Sequence, residues 1–212
     1  MKLDNKALLL YAITDRTWLK EKTLPEAVEE AILGGATFIQ LREKNLGYEE
    51  FFKIAGEVKT VTDKYNIPFV INDNVDVAAS IDADGVHIGQ SDEEIKTARE
   101  KLGFNKIIGL SAVTVEDAIK AEQSGADYIG VGAVFNTSTK LDADTVLFET
   151  LKEICDAVSI PVVAIGGISK DNVLELVDTG IAGISVVSAI FAQDNIRNAT
   201  SELLKLTKQI IK

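Results

Sequence analysis

The sequence predicts a single closed (β/α)8 barrel spanning residues 1–212, and three observations lead there. Short apolar runs alternate with amphipathic segments from one end of the chain to the other. No linker or low-complexity stretch interrupts the alternation. The 46% hydrophobic content includes only 6% aromatic residues, so the core is mostly Val, Ile, Leu and Ala, as suits parallel strands covered on both faces.

The elements follow in order. Residues 8–13 form the first strand; the run is apolar, but Asp4 precedes it and Asp15-Arg16 follow, with no small-residue cleavage pattern, so it reads as a buried strand and not a signal peptide. Pro25 suits the first turn of helix one, with Thr23 or Leu24 at its cap and Gly34-Gly35 at its stop. Residues 38–41 form strand two, and residues 48–64 place Phe51, Phe52, Ala55, Val58, Val61 and Thr62 near one helical face. Strands three and four fall at 68–72 and 85–89, joined by a connection that admits only a short helix. Glu93-Glu94-Ile95 open the next helix, which Gly103 stops. Strand five is 106–112; the helix after it, 115–124, sets Val115, Ala118, Ile119 and Ala121 on one face before Gly125. Strands six, seven and eight are 128–134, 161–167 and 183–189, with Gly180 in the short connection between the last two. Eight alternations favour closure; an open flavodoxin-like sheet is the alternative, since a strand count does not itself show closure.

Charge and residue inventory narrow the function. Lys+Arg 22 against Asp+Glu 33 gives a net charge of −11, and no basic stripe offers a nucleic-acid footprint. No apolar stretch reaches the ~18 residues of a membrane span. The single cysteine, Cys155, allows no intrachain disulfide and reads as a small packed residue. The expected location is cytoplasmic. His87 is the only histidine and lies inside the fourth strand; a packed, hydrogen-bonded role suits it better than general base. Ser-His-Asp, Cys-His and multi-histidine metal chemistries are therefore disfavoured.

Unusual polar residues gather where the strands end, on the face that carries active sites in such barrels. Gln40, Arg42 and Lys44 alternate along strand two and share one side. A guanidinium fork and a mobile ammonium there suit a phosphate; a salt-bridged strand end is the plainer alternative. Asp73 and Asp92 end adjacent strands, and two carboxylates beside phosphate-binding cations point to Mg²⁺ completed by water and substrate phosphate. Helix capping is the competing reading for both. Ser111 closes strand five, and Thr137, Ser138, Thr139 and Lys140 lie in a long polar loop after strand six. Gly166-Gly167 and Val187-Ser188 follow strands seven and eight, the usual phosphate site of these barrels.

Taken in order, Tyr11-Ala-Ile-Thr-Asp15, Gln40-Leu-Arg-Glu-Lys44, Ile71-Asn-Asp73, Gly85-Val-His-Ile-Gly-Gln-Ser-Asp92, residues 132–140, Ala164-Ile-Gly-Gly167 and Val186-Val-Ser-Ala189 resemble the thiamine-phosphate synthase family along essentially the whole chain. The resemblance implies two phosphorylated small-molecule partners: 4-amino-2-methyl-5-(diphosphooxymethyl)pyrimidine and 4-methyl-5-(2-phosphoethyl)thiazole. Their coupling gives thiamine phosphate and pyrophosphate. By the same resemblance residues 40–44 (Leu41 and Glu43 included) and Asn72 hold the pyrimidine pyrophosphate, together with Ser111 and Lys140. Asp73 and Asp92 bind Mg²⁺, while Thr137, Ser138, Thr139, Gly167, Val187 and Ser188 take the thiazole phosphate. Arg42, Lys44, Ser111 and Lys140 are the groups expected to act on the leaving pyrophosphate.

The sixth-strand loop departs from the family in reading Gly-Ala-Val-Phe-Asn-Thr where Gly-Pro-Ile-Phe-Pro-Thr is usual, which loosens it. Two rival readings share parts of this pattern. A thiazole tautomerase branch shares the barrel but calls for a histidine acid/base, and a non-catalytic metabolite-binding regulator would be expected to lose its metal carboxylates or Lys140. The sequence leaves homo-oligomerisation open.

Overall fold

The computed structural model describes residues 3–89, 92–136 and 145–211, without the side chains of residues 92–94. Its eight strands close into a parallel barrel in sequential order, β1 pairing with both β2 and β8. Closure settles the alternative of an open sheet. The order is β1 (Leu10–Ile13), α1 (Leu24–Gly34), β2 (Phe38–Leu41), α2 (Tyr48–Tyr65), β3 (Phe69–Asn72), α3 (Val75–Ser80), β4 (Gly85–Ile88) and α4 (Asp92–Leu102). It continues as β5 (Ile107–Ala112), α5 (Val115–Gln123), β6 (Tyr128–Val131), α6 (Phe148–Ala157), β7 (Val162–Ile165), β8 (Gly183–Val186), α7 (Ser188–Phe191) and α8 (Ile196–Ile210).

Two cores explain why the strands are apolar on both faces. Alternate residues such as Leu10, Ala12, Ile39 and Leu41 point outward into the layer between strands and helices. Their neighbours Tyr11, Ile13, Phe38, Val70, Tyr128 and Val163 fill the barrel interior. The same alternation decides which polar residues reach the inside.

Local signals set the element ends. Thr23 caps α1 in a capping box with Glu26, and Gly35 closes it at φ 106. Several boundaries differ from expectation. The first strand starts at Leu10, because Asn5–Leu8 wind into a 3-10 turn capped by Asp4. The sixth strand stops at Val131 and the eighth at Val186, so Ser188 opens a short helix and does not end a strand. Between β7 and β8 the chain makes only a 3-10 turn, Val173–Leu176. Phe52 and Ile119, expected on buried faces, are exposed; Phe52 stacks on Tyr48 at the helix surface. Cys155 is half-buried, as a packed residue should be, and burial pushes its thiol up to about 12.

Candidate active site

A cavity of about 600 Å³ opens at the carboxyl ends of the strands and runs down to Tyr11 and His87. β2 supplies the polar wall. Gln40 faces inward from the strand, fully buried, and Arg42 and Lys44 continue the same side beyond it; all three border the cavity. Thr14 fixes the backbone there, its Oγ1 accepting from the Arg42 amide at 3.1 Å. Among the described residues neither Arg42 nor Lys44 is in an ion pair, so no described carboxylate supports the plainer reading of a salt-bridged strand end.

Leu41 and Glu43, expected among the substrate contacts, turn the other way. Leu41 is buried in the outer core, and Glu43 pairs with Arg16 Nε at 2.9 Å. Neither side chain lines the cavity, because period-2 alternation sends them to the opposite face; any contact they make with a ligand falls to their backbone. Burial raises the Glu43 carboxyl above its ordinary range, against the lowering pull of Arg16.

From Gln40 a hydrogen-bonded line runs toward the mouth. Gln40 Nε2 donates to Asn72 Oδ1 at 3.4 Å, and Asn72 Nδ2 donates to Asp73 Oδ2 at 2.6 Å. Asp73 sits in the left-handed region at φ 60, its amide bonded to the His87 carbonyl. It does not cap α3; Asn74 does, its Oδ1 accepting from the Val77 amide at 2.9 Å. The Asp73 carboxylate is thus left on the cavity wall. α4 starts at Asp92, beside the end of β4, and its side chain lies outside the described residues.

The opposite wall is largely backbone. Gly166 and Gly167 have φ of 97 and 66. A Cβ at Gly166 would come 2.5 Å from Ala133, and one at Gly167 would strike the Asn136 carbonyl. Only glycine lets the loops after β6 and β7 approach this closely. Asn172 Nδ2 ties the Gly167 carbonyl at 2.9 Å, and Val187 and Ser188 complete this side of the cavity. Thr137, Ser138, Thr139 and Lys140 lie outside the described residues.

Of the floor, the sequence singled out only Ser111 as functional. Ser111 Oγ lies 3.1 Å from His87 Nε2, His87 Nδ1 lies 2.9 Å from Tyr128 Oη, and Tyr128 Oη lies 2.8 Å from Tyr11 Oη. Enclosure holds the imidazole at about 4, below its usual 6.5, and pushes both phenols up. All three rings are therefore neutral near pH 7. Ser185, also on the wall, has a buried hydroxyl with no hydrogen-bond partner among the described residues. The available signal was the inward parity of Tyr11, His87, Tyr128 and Ser185 on their strands, since polar groups at such positions need a partner.

Comparison with known proteins agrees with this architecture. The family model described as thiamine monophosphate synthase matches residues 10–190. A thiamine-phosphate synthase of Clostridium tetani is 53% identical over 194 residues, covering 92% of this chain and 93% of that protein. One from Ruminiclostridium cellulolyticum is 53% identical over 197 residues, covering 93% and 94%. The solved thiamine phosphate pyrophosphorylase from Pyrococcus furiosus superposes with a TM-score of 0.89 at 44% identity, covering 98% of this chain and 99% of that one. With the family model matched from the first strand to the short helix after the last, the chain belongs to the thiamine monophosphate synthase family.

Proposed function

We propose that this enzyme joins 4-amino-2-methyl-5-(diphosphooxymethyl)pyrimidine to 4-methyl-5-(2-phosphoethyl)thiazole, giving thiamine phosphate and pyrophosphate. The observation that carries the reading is the cavity itself: two cations, Arg42 and Lys44, with no ion pair among the described residues, on one wall, and a glycine-rich backbone wall facing them. That is a place for two phosphorylated ends. The bond from the pyrimidine methylene to the leaving oxygen breaks, and its electron pair departs with pyrophosphate. The aminopyrimidine ring spreads the resulting positive charge, and the thiazole nitrogen lone pair forms the new carbon–nitrogen bond. No proton has to be removed by the protein for this, in keeping with a site whose histidine is bonded at both ring nitrogens. The same double bonding argues against a thiazole tautomerase, which needs a free acid/base.

Arg42 and Lys44 hold the diphosphate and oppose the charge that grows on it, with Lys140 assigned the same task. Ser111 faces the leaving group. Gly167, Val187 and Ser188, with Thr137, Ser138 and Thr139, are assigned to the thiazole phosphate, so that the two rings meet in line. A divalent cation fits the donor set: the Asp73 carboxylate borders the cavity, with one oxygen accepting from Asn72 Nδ2. Such sparse ligation suits Mg²⁺, which keeps waters and substrate phosphates in its shell. Asp73 and Asp92 would hold it, and it would supply charge neutralisation at the diphosphate. Since both substrates are anions, the proposed place of work is the cytoplasm.

The test is direct. Purified protein with Mg²⁺ and both precursors should release pyrophosphate and thiamine phosphate in equal amounts, followed by chromatography. Failure to form product, with binding of only one precursor, would sink the proposal.

A further inference from the structure

Beyond Ser111, the coupling reaction makes no use of the chain of polar groups on the cavity floor, Ser111–His87–Tyr128–Tyr11. That chain is built, not incidental. Gly109 leaves the space that the Tyr128 ring fills, since a Cβ there would overlap the ring. Gly130 faces the imidazole, where a Cβ would come 3.4 Å from Cε1. Edge contacts among Tyr11, Phe38 and Tyr128, with centroids 4.6 to 5.9 Å apart, hold both phenols.

The chain has a dead end, and the dead end sets its direction. Tyr11 is buried, and among the described residues its hydroxyl has Tyr128 as its one hydrogen-bond partner. Each hydroxyl carries one proton, and the neutral imidazole carries one. If Ser111 donated to His87 Nε2, then Nδ1–H would donate to Tyr128, Tyr128 to Tyr11, and the Tyr11 proton, at the 1%-exposed bottom of the cavity, would have no acceptor among the described residues. In the opposite run Tyr11 donates to Tyr128, Tyr128 donates to Nδ1, and Nε2–H donates to Ser111 Oγ. Only a spare lone pair is then left at the buried end, and the Ser111 proton is left at the cavity. An unmade buried donor is costly enough to bias this choice roughly tenfold or more.

We propose that Tyr128, backed by Tyr11, is a positioning residue that holds His87 as the Nε2–H tautomer and so turns Ser111 into an obligate hydrogen-bond donor toward the substrate's departing diphosphate. The identity of the anion rests on the proposed function; the proton order does not. A phosphate oxygen only accepts, so a serine hydroxyl spent on the histidine would present a lone pair to it. With its proton free, Ser111 gains strength as charge accumulates on the leaving oxygen.

The chain has one histidine, which makes the test clean. In the full-length protein labelled with ¹⁵N-histidine, two-bond proton–nitrogen spectra near neutral pH should show Nε2 protonated and Nδ1 bare but hydrogen-bonded. Tyr128→Phe should move the Nδ1 shift to that of an unbonded nitrogen. In turnover assays it should lower kcat about fivefold, with the KM of each precursor within about twofold. In a Ser111→Ala background the same substitution should cost less than twofold, because its effect passes through Ser111. A protonated Nδ1, a tautomer mixture in the unmodified protein, or fully additive losses would overturn the proposal. An unmodified protein that makes no thiamine phosphate would instead refute the proposed function, with the tautomer result standing by itself.

Discussion

Acid should destabilise this barrel through its one histidine. In the folded chain enclosure holds the His87 imidazole at about 4, against 6.5 for the unperturbed group. Between those values the unfolded chain binds a proton that the folded chain does not, so stability rises with pH across the window. The contribution is fully present above 6.5 and is lost as pH falls toward 4. At about 1.36 kcal/mol per unit the whole gap corresponds to about 3 kcal/mol, of which about 2 kcal/mol is gone by pH 5. This is an upper figure, because one side of the ring borders the cavity. The exposed carboxylates Glu26, Glu29, Asp82, Glu122 and Asp194 are lowered by their hydrogen bonds, so they lose stabilisation only below the ordinary carboxylate range. Glu43 is raised and works against the His87 trend. Urea unfolding at pH 7.5 and pH 5, for the unmodified chain and His87→Gln, isolates the term. The unmodified chain should lose up to about 2 kcal/mol more than the variant over that interval. Equal losses would refute a neutral, enclosed His87.

Four further substitutions probe the site. Gly109→Ala places a Cβ on the Tyr128 ring and should cost about 1–3 kcal/mol in urea unfolding through overpacking. Ser185→Ala removes a buried hydroxyl that has no partner among the described residues, so the free protein should gain about 1 kcal/mol on the same measurement. Arg42→Ala leaves the strand intact but removes the bidentate cation; kcat/KM for the pyrimidine diphosphate should fall about 100-fold or more in steady-state assays. Asp73→Asn should move the Mg²⁺ dependence of the rate to higher concentration with the melting temperature little changed, because Asn74 and not Asp73 caps α3.

What the sequence disclosed follows from which interactions are local. Strand alternation is a property of neighbouring residues, so eight elements and the inward parity of Gln40, Arg42 and Lys44 were legible. Closure was not, because pairing of β1 with β8 joins residues far apart in the chain. Helix faces were legible only to within a residue. Phe52 belongs to the apolar stripe of α2 by periodicity, yet it lies at the edge of that stripe and stacks on Tyr48 outside. For Leu41 and Glu43 the contiguous motif did not record that alternate side chains leave on opposite faces, which leaves their backbone as the part facing a ligand. The rest of the floor was missed for a related reason: Tyr11 and Tyr128 look like ordinary strand aromatics until three-dimensional closure brings their hydroxyls to 2.8 Å.

That parity also resolves how a chain of net charge −11 can bind two anions. Several carboxylates are committed elsewhere, to lysines on outer helices or in the turn before β5: Glu29 to Lys64, Asp63 to Lys59, Asp76 to Lys101, Asp82 to Lys106. Charges farther than roughly 8–10 Å are screened at physiological salt, so the field at the mouth is set by its nearest groups. The one acidic residue between Arg42 and Lys44 in the chain is Glu43, and strand alternation removes it from the cavity while Arg16 engages it. An insertion of one residue before Gln40 would exchange the two faces, bringing a carboxylate inside and sending both cations out. The acidity of the whole protein is therefore compatible with anion binding because register, more than composition, decides the charge the substrates meet.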